Sequence, residues 1–172
     1  MTSSNWVRGS VKAGALGIGL AIAISVGSAG AQTPPAAAAA PAGPTPAERA
    51  IEYRQAVYKV VAGNFGPLSQ VAQGKAEFKG ELASKQAARL AQIATFVGDA
   101  YPDVSREGKT RALPAIWSNR AEFDQLVQDF TAHTRTLADV AENSSSAGEE
   151  LKAAVAAVGN DCKACHEKFR AT

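Results

Sequence analysis

The chain has 172 residues, of which 46% are hydrophobic, 6% are aromatic and only two are cysteines. This length favours one compact domain with appendages, and the cysteine count excludes a small scaffold held together by several disulfides. The formal net charge of +2 is too small to indicate nucleic-acid binding, and the low aromatic content suits close-packed helices better than a β-sandwich.

The N-terminus has the pattern of an export signal. It carries Arg8 and Lys12 but no acid, then an apolar run over residues 13–27, then a small-residue cleavage pattern ending at Ala31. The run is shorter than the roughly 20 residues that a membrane span needs. We therefore predict a signal peptide over residues 1–31 and a periplasmic protein. An uncleaved leader that anchors the protein to a membrane is the alternative.

An uncharged Ala/Pro-rich segment over residues 32–45 is predicted to be a linker. The folded domain is expected to span residues 46–172. At its start, Thr45 at the N-cap, Pro46 at the first helical position and Glu48 at the third predict the beginning of a helix.

The first predicted helix has one apolar face, marked by residues at spacings of three and four from Ile51 to Leu68. Gly63, Gly66 and Pro67 weaken its later part. Because proline lacks an amide hydrogen and clashes with the preceding turn, a kink or break is predicted near residues 63–66.

The second predicted helix runs from about residue 80 to 99 and ends before Pro102. Its predicted buried side consists of Leu82, Gln86, Leu90, Ile93 and Val97. A longer connection follows over residues 101–118, and its apolar end at Ile116 and Trp117 is expected to pack on the bundle.

The third predicted helix starts near Asn119, with Glu122 completing a capping pair, and carries an apolar stripe from Phe123 to Ala141. The fourth follows a serine-rich break, with Ser146 and Glu149 as its capping pair. Its apolar face is formed by Leu151, Ala154, Val155, Val158, Cys162, Cys165 and Phe169.

Four amphipathic helices without strand signals predict an all-α protein, an antiparallel four-helix bundle. A three-helix core with the first helix loosely docked is the alternative.

Residues 162–166 read Cys-Lys-Ala-Cys-His, the pattern of c-type haem attachment. Two thiols three residues apart can reach the two vinyl groups on one edge of a porphyrin, and the adjacent imidazole can hold the iron. Redox-active thiols are an alternative, but no βαβ pattern accompanies them. A zinc site would need further ligands from His133 or carboxylates. We predict one covalently attached haem c, held through Cys162 and Cys165, with His166 as the axial iron ligand.

The second axial position of such an iron has few candidates. The only methionine is Met1, so the His/Met ligation of many electron-transfer cytochromes is excluded in the exported chain. His133 is the only other histidine and is kept as an alternative ligand. A lysine amine or the Tyr58 phenolate would need a large pKa shift from about 10. An iron with one strong protein ligand is therefore predicted.

These features resemble the cytochrome c′ family, the high-spin class II c-type cytochromes, over roughly residues 46–171. The attachment motif is followed by Glu-Lys-Phe-Arg at 167–170, similar to the family's ending. Residues 53–58, Tyr-Arg-Gln-Ala-Val-Tyr, resemble its Arg-Gln segment, and residues 114–118, Pro-Ala-Ile-Trp-Ser, resemble its loop before the third helix. The order of the four helices is also similar.

The resemblance implies roles for further residues. Arg54 and Gln55 match a pair that contacts the haem edge and propionates, Tyr58 matches the residue that covers the distal face, and Arg170 matches an arginine beside the proximal imidazole. For each of these, an ordinary packing or surface role is the alternative. Departures from the family pattern, such as Ala115 in place of the usual glutamate, leave the shape of the distal pocket and the dimer contacts open.

The resemblance implies that the iron binds NO and CO and that the chain forms a homodimer through its first two helices. Transfer of electrons to a periplasmic redox partner, without a gas-binding role, is the second hypothesis. Enzymatic turnover of peroxide or NO is a third, and it is disfavoured because the sequence shows no distal acid–base pair. We therefore predict a haem protein that is not an enzyme.

Overall fold

The structure is a computed structural model that describes residues 43–172. Its α-helices are α1 (Pro46–Ala72), α2 (Gly80–Ala94), the short α3 (Ala115–Ser118), α4 (Arg120–Asn143) and α5 (Glu149–Phe169). The four long helices confirm the predicted bundle, and α1 is an integral part of its core. The predicted signal peptide and all but the end of the predicted linker lie outside the described residues. Across residues 43–172, none of the helices is long and apolar enough to span a membrane.

The predicted start of α1 is confirmed by a complete capping box. The Thr45 side chain accepts a hydrogen bond from the backbone amide of Glu48, and the Glu48 carboxylate accepts one from the amide of Thr45. Each side chain thus satisfies an amide that has no partner within the helix.

Of the kink or break predicted near residues 63–66, the break is wrong, because α1 continues through Pro67 to Ala72. Directly after the proline, Leu68 is only 1% exposed. Packing of this leucine in the core holds the helix together across its weakest point.

The buried side of α2 differs by about one residue from the prediction. Leu90 and Val97 are buried as predicted, but Leu82 is 48% exposed. Small side chains at Ala83 and Ala87 face the core instead, which lets α2 approach the neighbouring helices closely. The α-helix also ends earlier than predicted, and the chain continues through two 3₁₀ turns, Gly98–Ala100 and Asp103–Ser105.

The two capping pairs predicted for the later helices are wrong. The Asn119 side chain makes no capping bond, since its residue has φ −117° and ψ 46° and lies outside the extended conformation of a usual N-cap. The Glu122 carboxylate pairs instead with Lys168 of α5. At the start of α5 the N-cap is Gly148, so Ser146 lies two residues too early to cap.

A second apolar cluster closes one end of the bundle. It consists of Ala100, Tyr101, Ile116, Phe123 and Phe169. Ile116 is 1% exposed, which confirms that the apolar end of the long connection packs on the helices. The residues that follow α5 pair with this connection, because the Leu113 amide donates to the Phe169 carbonyl and the Ala171 amide to the Arg111 carbonyl. The C-terminal end of α5 is thereby fixed against the connection.

Candidate functional site

A cavity of about 650 Å³ lies between α1, α4, α5 and the connection before α3. This volume is within the range of about 300–1,000 Å³ that is usual for small-molecule and cofactor pockets. The structure brings all seven residues of the predicted site to its wall: Arg54, Gln55, Tyr58, Cys162, Cys165, His166 and Arg170.

Helix α5 supplies the thiols. Cys162 and Cys165 are half-buried and both face the cavity, since residues three apart share one side of a helix. Burial raises the pKa of Cys162 to about 11 and also raises the pKa of Cys165. Redox-active thiols usually have lowered pKa values, so these directions count against the thiol-redox alternative.

His166 lies at the cavity mouth, one turn before the end of α5. Its Nδ1 atom is 3.4 Å from Nη1 of Arg170. Partial burial, with the positive charges of Arg170 and Arg111, lowers the pKa of His166. The imidazole is therefore held in the neutral form, which is the form that binds a metal.

Arg54 is a buried cation, 4% exposed, in the α1 wall. Its guanidinium donates to the Ala100 carbonyl at 3.2 Å, to the Ser105 hydroxyl at 2.9 Å and to the Thr110 hydroxyl at 2.8 Å. All of these partners are neutral, and burial lowers the pKa of Arg54. A buried guanidinium without a carboxylate partner among residues 43–172, beside a cavity, is a suitable contact for an anionic group of a ligand.

The neighbouring Gln55 is exposed, and its side-chain amide donates to the Lys109 carbonyl at 3.4 Å. The exposed side chains of Lys59, Arg111 and Arg170 also line the cavity and make its rim predominantly basic.

Tyr58 projects into the cavity and pairs with a residue that the sequence analysis missed. The Tyr101 hydroxyl donates to the Tyr58 hydroxyl at 3.1 Å, and Tyr101 also lines the cavity. Burial is the main cause that raises the pKa of both phenols. Tyr101 lies in the connection, outside any periodic pattern, so no signal in the sequence placed it against Tyr58.

His133 is absent from the cavity wall. Its Nδ1 atom is 2.8 Å from Oδ2 of Asp161, the residue before the first thiol. This contact turns the imidazole toward a carboxylate at the edge of the site. Asp161 does line the cavity, and burial raises its pKa although His133 opposes the shift.

The residues of the cavity fit a covalently bound haem. Two thiols on one helix face suit the two thioether bonds, the adjacent neutral imidazole suits the iron, and the buried guanidinium suits a propionate. Most of the remaining wall is apolar, as a porphyrin requires. The larger apolar residues are Val61, Phe65, Val97, Leu126, Val127, Phe130 and Phe169.

Comparison with known proteins gives one consistent result. A family model described as cytochrome c′ matches residues 49–170. The cytochrome c′ of Rubrivivax gelatinosus is 34% identical over 122 residues, which cover 70% of this chain and 93% of that protein.

Solved structures are similar over the same region. The cytochrome c′ of Shewanella frigidimarina has 32% identity and a TM-score of 0.70, and the match covers 73% of this chain and 97% of that one. A ferrous variant of the cytochrome c′ of Alcaligenes xylosoxidans with bound NO has 28% identity and a TM-score of 0.67, with 73% and 97% covered.

Proposed function

We propose a function that proceeds from one premise: the chain belongs to the cytochrome c′ family, whose members carry one covalently attached haem c. On this basis Cys162 and Cys165 form the thioether bonds and His166 is the axial ligand of the iron. Arg54 receives a propionate, and Arg170 holds the proximal imidazole. When bound, the haem supplies an iron centre that can take a small ligand or an electron.

We propose further that His166 is the only protein ligand of the iron. The observation that carries this proposal is the position of the other histidine: His133 is paired with Asp161 and does not line the cavity. The exported chain also offers no methionine, because Met1 belongs to the proposed signal peptide. The phenol of Tyr58 has a raised pKa and stays protonated, which makes it a poor iron ligand.

An iron with His166 as its only protein ligand would have a coordination position free for a diatomic ligand, so the proposed function is the binding of NO and CO. The NO complex of the relative from Alcaligenes xylosoxidans supports this choice of ligand. In this arrangement the chain's own residues shape the ligand space: Tyr58 covers it, and apolar side chains such as Phe130 exclude water.

Visible spectra of the purified exported protein, oxidised and reduced, with and without CO, test this function. We expect a high-spin spectrum that changes when CO is added to the reduced protein, and a mass that includes one haem. Cys162→Ser combined with Cys165→Ser should abolish the covalent haem. His133→Gln is the matched control and should leave the spectra unchanged. A reduced spectrum that CO does not alter contradicts an open iron site.

Electron transfer is the second candidate function, and the basic rim of the cavity favours it. Lys59, Arg111 and Arg170 are exposed and line the cavity together with His166, so an acidic redox partner would be attracted to the edge of the haem. Rapid reduction by such a partner, together with the absence of any CO or NO complex, would make this the main function.

The proposed location and assembly follow from other parts of the molecule. The signal-peptide pattern of residues 1–31 supports export to the periplasm. Exposed apolar side chains on α1 and α2, including Val60 and Leu82, support a homodimer through these helices. We propose no enzymatic turnover, since among the described residues the one histidine of the cavity wall is the proposed iron ligand His166, and its one carboxylate, Asp161, is paired with His133.

A further inference from the structure

The role assigned to Tyr101 rests on the proposed function, in which Tyr58 covers the ligand of the iron. In the cavity wall, Tyr101 is 7% exposed and its hydroxyl lies 3.1 Å from that of Tyr58. No other hydrogen bond involves either hydroxyl within residues 43–172. The two phenols therefore form an isolated pair at the ligand side of the cavity.

Tyr101 is held in place from several directions. The Trp117 indole donates to the Tyr101 carbonyl at 3.3 Å, and the rings of Trp117 and Phe123 meet the Tyr101 ring edge to face at centroid distances of 6.2 and 4.7 Å. The Arg54 guanidinium lies 4.7 Å from the centre of the same ring. These contacts hold the Tyr101 ring, so its hydroxyl has a defined position beside that of Tyr58.

The charge of Arg54 also sets the direction of the hydrogen bond. A cation close to a phenol favours its phenolate and so makes its O–H the stronger donor. Arg54 contacts the ring of Tyr101 and not that of Tyr58. The more acidic phenol, Tyr101, is therefore the donor of the pair and Tyr58 the acceptor, and the 3.1 Å between the two oxygens suits this bond.

A phenol that accepts a hydrogen bond can still donate its own O–H. With Tyr101 donating to the oxygen of Tyr58, the Tyr58 hydrogen is directed away from Tyr101, and its donor strength is increased by the bond it receives. Because both phenols line the cavity, the Tyr58 hydrogen is then available to a ligand that the cavity holds.

We propose that Tyr101 is a positioning residue that makes Tyr58 a hydrogen-bond donor to the iron-bound ligand. The distal side is then polar at one point and favours ligands that gain negative charge on binding. Tyr58 contacts the ligand, and Tyr101 acts only through Tyr58. The hydrogen bond from Tyr58 stabilises diatomic ligands with a negatively polarised outer atom more than it stabilises CO. This specifies the ligand class of the proposed site.

The C–O stretching frequency of the ferrous CO complex of the holoprotein tests the proposal, since a donor near the ligand oxygen lowers this frequency. Tyr58→Phe should raise it. Tyr101→Phe should shift it in the same direction by a smaller amount and broaden the band, because the Tyr58 hydroxyl loses its fixed orientation. Tyr53→Phe is the matched control: Tyr53 is 44% exposed on the same helix, lies outside the cavity and should leave the band unchanged.

Ligand dissociation provides a second readout. Loss of one hydrogen bond of ordinary strength should speed dissociation of a polarised ligand about twofold to tenfold in Tyr58→Phe, and less in Tyr101→Phe. Unfolding curves of all three variants show whether the fold is retained, and phenylalanine preserves the ring packing of Tyr101.

The outcomes separate the inference from the proposed function. A wild-type protein that carries haem but binds no CO overturns the open site, and the inference with it. A band that moves in Tyr58→Phe but not in Tyr101→Phe overturns the role of Tyr101 alone. A C–O stretching frequency that decreases in Tyr58→Phe contradicts a hydrogen bond donated by Tyr58 to the ligand.

Discussion

The buried phenols of the cavity wall make the free energy of unfolding depend on pH. Burial raises the pKa of Tyr58 well above its usual 10.0, and it also raises that of Tyr101. In the unfolded chain both lose their protons near pH 10, whereas in the folded protein they keep them. The folded state then binds more protons, so the free energy of unfolding falls as the pH rises above about 10.

Tyr58→Phe removes one of these groups. We expect the unfolding free energy of this variant, relative to wild type, to increase by up to about 1.4 kcal/mol for each pH unit above pH 10. Urea unfolding of the holoprotein, followed by far-UV circular dichroism at about pH 8 and about pH 11, measures the difference. Tyr53→Phe gives the baseline for an exposed phenol. A difference that is constant with pH would show that the Tyr58 phenol ionises as readily in the folded protein as in the unfolded chain.

The attachment residues could be predicted from the sequence, whereas Tyr101 could not. Cys162, Cys165 and His166 form a local motif on one helix, so their arrangement was readable from spacing alone. Tyr101 reaches Tyr58 across 43 positions of the sequence, through a connection without periodicity. Such a contact depends on the path of the connection, which no local pattern determines.

At the scale of the helices, one prediction from the sequence of α1 was confirmed and another was wrong. The capping box at Thr45 is made entirely within four residues, so its sequence pattern was sufficient. The effect of Pro67 depended on the burial of Leu68 in the core, which is a property of the whole bundle. The face of α2 was likewise decided by neighbours, since close packing selected Ala83 over Leu82 for the interior.

The glycines of α1 offer a test of how much local propensity still matters in this helix. A methyl group at Gly63 would meet no heavy atom within 4 Å. Alanine loses less conformational entropy on folding than glycine does, so Gly63→Ala should stabilise the protein by about 0.5–1 kcal/mol. Thermal or urea unfolding of the holoprotein measures the change.

Gly74, just beyond the end of α1, is the matched control. It also has nothing within 4 Å of an added methyl group, but its φ of +70° is unfavourable for other residues. Gly74→Ala should therefore destabilise the protein by about 1 kcal/mol. If both substitutions shift stability in the same direction, backbone conformation does not govern these positions.

On the scale of the whole molecule, α1 and α2 present an apolar surface that a bundle of four helices leaves uncovered. Tyr53, Val60, Pro67 and Val71 are spaced by seven, seven and four positions, so they share one side of α1. Beside them a depression of about 250 Å³ is lined by Pro67, Val71 and the exposed Leu82. A twofold dimer would use the same patch of both copies and cover it with itself.

Leu82→Lys tests this assembly, because it places a charge on both sides of such an interface. The side chain is 48% exposed in the single chain, so the substitution should leave each bundle folded while converting a dimer into monomers. Sedimentation velocity of the holoprotein over a range of concentrations measures the change. Val104→Lys is the control, since Val104 is 52% exposed in a 3₁₀ turn outside α1 and α2 and should leave the dimer intact. A wild-type protein that sediments as a monomer, or a Leu82→Lys variant that remains dimeric, would place the interface elsewhere or remove it.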